Sequence, residues 1–198
     1  MILKKDVNPP VKYLTQRDNI NPYTGKKDGH NQCMVASFTM LVNWLGDKLK
    51  NKHLQVYNEF THLAIVGKNA NEIERRRYNS INHATPLNLM FENLKLKQRF
   101  KSLQMNYDEV QDKCKKTGSP IIVGSMITSY GHIIVYIGNN KWHDPYGKCS
   151  EETLSYYGKG FDILGSNVEY SDRFVRDRIF RSHDLKNTNT KRLCWWVE

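Results

Sequence analysis

Residues 32–46 read QCMVASFTMLVNWLG, the most apolar and most helix-like stretch of the chain. Its apolar residues recur at the spacing of one helix face: Val35, Phe38, Leu41, Val42 and Leu45. The pattern predicts a largely buried helix. We expect Asn31 to cap its start and Gly46 to take the left-handed conformation just past its end.

Cys33 falls in the first turn of this predicted helix. Free backbone N–H groups and the positive end of the helix dipole stabilise a thiolate at such a position. The position therefore suits a nucleophile. Many buried cysteines on helices only fill the core, however, and Cys33 taken alone favours that structural interpretation.

The length of 198 residues allows one compact domain, and we expect a single domain over 1–198 with an N-terminal arm at 1–12. No apolar run reaches the roughly 18 residues of a membrane span. The first residues lack the apolar centre of a signal peptide. We therefore expect no membrane span, and synthesis in the cytoplasm with export, if any, by another route.

The four cysteines include no CxxC pair, which argues against a disulfide scaffold and against a zinc ribbon. We expect neither a metal nor a cofactor. The formal net charge is +10 and is spread along the chain. It fits either a solvated surface or attraction to a polyanion such as nucleic acid, anionic lipid or a cell-wall polymer. Because no nucleic-acid motif stands in its required context, we expect no nucleic-acid partner.

Helical patterns dominate the first half of the chain and β-branched runs the second. After residue 46, helices are predicted at about 49–64, from Thr85-Pro86 onward, and from a capping box at 106–109 to Lys116. Strands are predicted at 99–105, 119–126, 131–138, 141–144 and 191–197, and a strand or edge contact at 11–14. Asn139-Asn140 signals a hairpin turn. The predicted class is α+β, with helices first and an antiparallel sheet second.

Three residues can complete one chemical group. A thiol nucleophile needs a base within hydrogen-bond reach, and the base needs a third group that fixes its ring. His132 begins one predicted strand directly after Gly131, and Asp144 ends the next strand twelve positions later. The hairpin can therefore bring His132 and Asp144 side by side and present both to the helix that carries Cys33.

Each of these residues also has a structural explanation. A histidine among isoleucines and valines is often a hydrogen-bonded core residue, and Asp-Pro-Tyr-Gly is often only a turn. His143 is an alternative base, or a zinc ligand together with His132 and Asp144, although no helix-spaced histidine pair supports a metal. It is the order of cysteine, histidine and aspartate in these local contexts that favours catalysis.

Four segments resemble one known family: YLTQRDN at 13–19, Cys33 with Ser37 at the start of an apolar helix, GHIIV at 131–135 and HDPYG at 143–147. Together they are similar to the papain-like cysteine peptidases. The narrower resemblance is to the branch related to bacteriocin-leader peptidases, which includes cell-wall lysins encoded by phages. The resemblance implies a papain-like fold, in which the nucleophile helix packs on the C-terminal sheet.

The resemblance also implies a role for each matching residue. Cys33 would attack a carbonyl carbon as the thiolate, and His132 would hold the proton and deliver it to the leaving amine. Asp144 would orient the imidazolium. Gln16 would donate its side-chain amide to the oxyanion, beside the backbone N–H of Cys33.

The chain departs from the family pattern in two places. Met34 and Val35 follow Cys33 where relatives often have Gly-Pro, which changes the shape beside the nucleophile. Gln16 lies seventeen positions before Cys33, which is longer than the usual spacing. If the residues between them cannot loop out, Gln32 or Asn19 is the donor instead.

The leading functional hypothesis is a monomeric cysteine peptidase that cuts amide bonds of bacterial peptidoglycan, as a phage endolysin or virion-associated lysin. It would be made in the cytoplasm of the producing cell and would act on the wall after release. One alternative is a peptidase that processes a protein substrate. Another is a non-catalytic binding or host-takeover protein on the same scaffold, which would use the basic clusters at 75–77 and 113–116.

Overall fold

The computed structural model describes residues 7–17, 32–55, 84–128, 131–155, 164–182 and 186–198. The helices are α1 (Cys33–Leu49), α2 (Lys52–Gln55), α3 (Ala84–Asn93), α4 (Tyr107–Thr117) and α5 (Asp172–Phe174), which continues into a π-helical turn at Val175–Ile179. The strands are β1 (Phe100–Met105), β2 (Ile121–Ser125), β3 (His132–Gly138), β4 (Lys141–His143), β5 (Val168–Glu169) and β6 (Arg192–Val197).

The strands in these ranges form one sheet in the order β1-β6-β2-β3-β4-β5. Each neighbouring pair is antiparallel, and the last strand of the chain inserts between β1 and β2. With α1, α2 and α3 before the first strand, this arrangement confirms the predicted α+β class.

Both faces of the sheet are buried in its centre. Successive side chains of a strand point to opposite faces, so that Ile122 and Val135 pack with α1 while Ile121 and Ile134 pack with α4. The first face is covered by α1 and α3, with contributions from Phe38, Leu41, Leu45 and Phe91. The second is covered by α4 and the π-helical turn, with contributions from Tyr107, Val110, Val175 and Phe180. Helix α1 is thus fixed against the strand that begins with His132.

The predicted end of α1 was wrong. The helix passes through Gly46, which is buried, and continues for three more residues. Lys50, not Gly46, takes the left-handed conformation, with φ of 52°. The N-cap is Gln32, which makes no side-chain cap bond, and the predicted cap Asn31 lies outside the described residues.

Several other local predictions are confirmed. Asn106 and Glu109 form a capping box at the start of α4, and Gly118 ends that helix with φ of 64°. Asn139 and Asn140 both have positive φ, as a two-residue hairpin turn requires.

Other element boundaries differ from the predictions. Helix α3 begins at Ala84, so Thr85 lies inside it rather than capping it. Residues 11–14 form no strand. The helix predicted at 49–64 is seen only as the end of α1 and as α2, because residues 56–83 lie outside the described part. No helix in the described ranges has the length and apolar character needed to cross a membrane.

The capping box gives a stability prediction. Replacing Asn106 by Ala removes the acceptor for the Glu109 N–H and should lower the free energy of unfolding by about 1 kcal/mol. Urea denaturation of the two proteins measures the difference. Asp112→Ala, an exposed substitution in the same helix, is the matched control and should change stability by less than about 0.5 kcal/mol. Equal effects of the two substitutions would contradict the role of the cap.

Candidate active site

Cys33 is the first residue of α1 and is partly exposed, whereas Cys114, Cys149 and Cys194 are buried. One helical turn later, the Ser37 hydroxyl donates to the Ile133 carbonyl oxygen at 3.3 Å. This bond ties the start of α1 to β3 at the residue that follows His132. The helix therefore presents the thiol at the beginning of that strand.

His132 emerges from a turn that is fixed from both sides. Gly131 has φ of 81°, a conformation that favours glycine. Its N–H donates to the Thr128 carbonyl oxygen at 3.0 Å, and the Thr128 hydroxyl donates back to the Gly131 carbonyl oxygen at 2.6 Å. On the neighbouring strand, the Ser125 hydroxyl donates to the His132 carbonyl oxygen at 3.0 Å. These bonds therefore fix the backbone of His132 independently of the contacts of its side chain.

The hairpin of β3 and β4 brings His132 next to Asp144. His132 Nε2 lies 2.7 Å from Asp144 Oδ1, and both side chains are buried. This is the proximity that the strand spacing predicted. Because Asp144 occupies Nε2, Nδ1 is the ring nitrogen that remains for the Cys33 side chain, with which His132 also hydrogen-bonds.

Opposing effects set the acidity of the thiol and the imidazole. Burial raises the pKa of Cys33, but the hydrogen bond and positive charge of His132 outweigh it, and backbone hydrogen bonds of Ile133 and Met34 act the same way. The pKa of Cys33 is therefore below its ordinary 9.0. Burial lowers the pKa of His132, but the charge of Asp144, the bond to it and the contact with Cys33 raise the pKa well above 6.5. Both shifts favour the charged forms of the pair, the thiolate and the imidazolium.

Asp144 is held by several donors besides His132. The Tyr146 N–H donates to Oδ1 at 3.0 Å, and the Tyr170 hydroxyl donates to Oδ2 at 3.1 Å. The Asp144 N–H donates to the Gly165 carbonyl oxygen at 2.8 Å. A Cβ at Gly165 would overlap the Asp144 carbonyl oxygen and the Tyr13 hydroxyl, so only glycine fits there. Sequence reasoning missed Tyr170 and Gly165, because both reach Asp144 only through the tertiary fold.

An N-terminal segment, residues 11–17, binds the residues around Asp144. The Tyr13 hydroxyl donates to the Asp144 carbonyl oxygen at 3.0 Å, and the Thr15 hydroxyl donates to the Pro145 carbonyl oxygen at 3.3 Å. Arg17 Nε donates to the Tyr146 carbonyl oxygen at 2.7 Å. Residues 11–14, predicted as a strand or an edge contact, therefore belong to an N-terminal segment, 11–17, that holds the end of β4 in place.

Gln16 lies in the N-terminal segment 11–17, close to Asp144 in the fold. Its N–H donates to the Pro145 carbonyl oxygen at 2.9 Å, and its side chain is buried. Gln32, the alternative oxyanion donor, is also buried and directly precedes Cys33. Asn19, the other alternative, lies outside the described residues. The fold thus brings Gln16 to the segment of Asp144 despite the long spacing to Cys33.

His143 has a structural role in this fold. Its Nε2 donates to the Val11 carbonyl oxygen at 2.8 Å, while its Nδ1 accepts the Asn167 N–H at 3.1 Å. Burial lowers the pKa of His143, which keeps it neutral. With both nitrogens occupied it serves neither as the base for Cys33 nor as a zinc ligand. Among the described residues, no group of three or more histidine, cysteine or acidic side chains could hold a metal ion.

A cavity of about 510 Å³ opens at α5 and the π-helical turn. Its lining is strongly charged and includes Glu151, Arg173, Asp177, Arg178, Arg181 and Lys186. Neither Cys33 nor His132 nor Asp144 is among its lining residues. The cavity is therefore separate from these three side chains. The chemistry of the candidate site depends on Cys33 at the start of α1 and on His132 and Asp144 of the β3–β4 hairpin.

Comparison with known proteins gives no match to a family model, to a curated protein or to a solved structure. Inference about function therefore rests on the residues and geometry described above.

The acidity of Cys33 gives a labelling prediction. Iodoacetamide at about pH 7 should modify Cys33 selectively, because its lowered pKa provides more thiolate than an ordinary cysteine has, while the other three thiols are buried. The rate should reach half of its maximum at a pH below 9.0, because the thiolate of Cys33 is protonated only below the ordinary range. Peptide mapping by mass spectrometry identifies the labelled residue.

His132→Ala is the matched variant for this experiment. It removes the bond and the charge that lower the pKa of Cys33 and leaves burial, which raises it. The reactive range should therefore move to higher pH. Equally slow labelling of all four thiols in the wild-type protein would contradict the assignment of Cys33 as a nucleophile.

Proposed function

We propose that this chain is a cysteine peptidase of papain-like fold and mechanism. The observation that carries the proposal is the continuous hydrogen-bonded group of Cys33, His132 and Asp144, with the pKa of the thiol lowered and the pKa of the imidazole raised. A buried cysteine with only a structural role needs neither of these shifts. The α+β fold, with the cysteine helix packed on an antiparallel sheet, is consistent with the proposal.

The proposed reaction proceeds through a thioester. The Cys33 thiolate attacks the carbonyl carbon of an amide, and the negative charge moves to the carbonyl oxygen. His132 then gives its Nδ1 proton to the leaving amine as the C–N bond breaks. A water molecule attacks the thioester while His132 takes up one of its protons, and breakage of the C–S bond releases the acid and restores the thiolate. Asp144 keeps Nδ1 directed at the sulfur throughout, because its own bond holds Nε2.

We further propose that the oxyanion is bound by the Gln16 side-chain amide and the Cys33 backbone N–H. The position of Gln16 against Pro145, next to Asp144, supports this role. The Cys33 N–H supports it as well, because the first N–H groups of a helix have no partner within the helix. Two such donors are what the developing charge requires.

The substrate we propose is an amide bond in the peptides of bacterial peptidoglycan. The net charge of +10 favours an anionic surface such as the cell wall. The protein would then be a monomeric phage endolysin or virion-associated lysin that reaches the wall after release from the cell that made it. A peptidase that processes a protein substrate would use the same residues, so the substrate assay below distinguishes the two.

The first test uses purified bacterial walls. The wild-type protein should release new amino termini, measured with an amine-reactive reagent, and Cys33→Ala should abolish the release because the nucleophile is gone. Cys114→Ala is the matched control and should retain activity, since Cys114 lies on the buried face of α4, in the core. If Cys33→Ala releases amino termini as fast as the wild type, the proposal is wrong. Cleavage of proteins but not of walls would support the processing peptidase instead.

The second test compares the two glutamines. Gln16→Ala should lower kcat on the order of a hundred-fold, because one of two oxyanion donors is lost, while KM changes little. Gln32→Ala should have a much smaller effect, and circular dichroism should verify that both variants fold. The opposite ranking would transfer the oxyanion role to Gln32.

A further inference from the structure

Tyr170 is a buried side chain whose hydroxyl lies between Asp144 and Cys149. It donates to Asp144 Oδ2 at 3.1 Å, and it accepts the Cys149 N–H at 3.0 Å. Its ring stacks on Phe174, with centroids 4.9 Å apart. Two bonds and one ring contact therefore fix the hydroxyl in position.

The direction of these bonds follows from what each group can donate. A backbone N–H only donates, so the Tyr170 oxygen accepts from Cys149 and its own proton points to Asp144. The Tyr146 N–H is a second obligatory donor, and it faces Oδ1. Both carboxylate oxygens therefore accept, Oδ1 from Tyr146 and Oδ2 from Tyr170. His132 must then donate from Nε2, which leaves Nδ1 to exchange a proton with Cys33.

We propose that Tyr170 is a positioning residue for the group formed by Cys33, His132 and Asp144. Its hydroxyl holds the Asp144 carboxylate so that Oδ1 stays on His132 Nε2. Tyr170 itself does not touch the sulfur or the substrate. Two bonds to Oδ1 alone would let the carboxylate rotate about its Cβ–Cγ bond. The bond to Oδ2 prevents that rotation and thereby fixes the imidazole. This role rests on the proposed cysteine peptidase function.

Tyr170→Phe is the variant that tests the role, because it keeps the ring and removes only the hydroxyl. Without that donor the carboxylate supports the imidazolium less well, and the imidazolium supports the thiolate less well. We expect the rate of Cys33 alkylation at about pH 6.5 to fall about ten-fold, as for loss of one hydrogen bond to a charged group. The pH profile should shift toward 9.0, the ordinary pKa of a thiol. In turnover, kcat should fall while KM stays the same.

Tyr107→Phe is the matched control. Tyr107 is also buried, and its hydroxyl bonds to Asn140 Oδ1 at 2.9 Å, on the α4 side of the sheet. Its loss should leave the alkylation profile of Cys33 unchanged. If Tyr107→Phe shifts the profile as much as Tyr170→Phe does, the effect reflects general loosening of the core and the proposal is overturned.

A double-mutant cycle separates positioning from stability. If Tyr170 acts through the carboxylate, adding Tyr170→Phe to Asp144→Asn should change the alkylation rate by less than about two-fold. The same ten-fold loss in both backgrounds would overturn the proposal. Among the described residues, the charge of Asp144 affects the pKa of His132, Tyr170 and Cys149, and the cycle changes only Tyr170 and Asp144.

A second substitution covers the case in which Tyr170→Phe does not fold. Incorporation of 3-fluorotyrosine at position 170 nearly keeps the size of the ring and makes the hydroxyl a stronger donor to Asp144, so the alkylation profile should shift along the pH axis. An unmoved profile would overturn the role of Tyr170. If walls and peptides are not cleaved but these shifts occur, the role of Tyr170 stands and the peptidase function fails.

Discussion

The buried bond between His132 and Asp144 is the interaction on which the rest of the site depends. It joins the start of β3 to the residue after β4, and it lies where water is excluded from both side chains. An unpaired charge at such a depth would be costly, so each partner requires the other. The bond also selects which ring nitrogen faces the sulfur. Because Nδ1 faces the sulfur, His132 can lower the pKa of Cys33, and any chemistry of the thiol follows from that.

Much of the surrounding structure serves to hold this bond. The N-terminal segment 11–17 binds the carbonyl oxygens of Asp144, Pro145 and Tyr146. The carbonyl oxygen of Gly165 accepts the Asp144 N–H. Ser37 fixes α1 to β3 within one residue of His132. The supporting contacts come from segments far apart in the chain. A rigid scaffold of this kind keeps donor and acceptor aligned without reorganisation during a reaction.

Burial alone would leave Cys33 as a neutral thiol and His132 as a neutral ring, since it disfavours charge on both. The pKa of each group shifts the other way, because Asp144 stabilises the imidazolium and because the imidazolium and the thiolate stabilise one another. Cys194 shows the contrasting case. It is buried without an imidazole, and burial raises its pKa. The difference between the two cysteines therefore comes from the neighbour of each sulfur.

Sequence patterns alone predict the local elements of this protein. Apolar spacing predicted α1, the Asn106 capping box predicted α4, and Asn139-Asn140 predicted the hairpin, because each signal depends on residues within a few positions of one another. The hairpin also predicted the closeness of His132 and Asp144, since a tight turn places two consecutive strands side by side. The end of α1 was predicted wrongly, because the helix continues through Gly46 and Lys50 takes the left-handed conformation instead.

The distant groups that complete the site are identified by the packing of the folded chain. Tyr170 and Gly165 carry no sequence signal, because their contacts with Asp144 arise from the return of the chain to β5 beside β4. The structural use of His143 was equally hidden, since its partners Val11 and Asn167 lie far away in the sequence. Local patterns encode the backbone, whereas the protonation of a buried group depends on every donor that the fold packs around it.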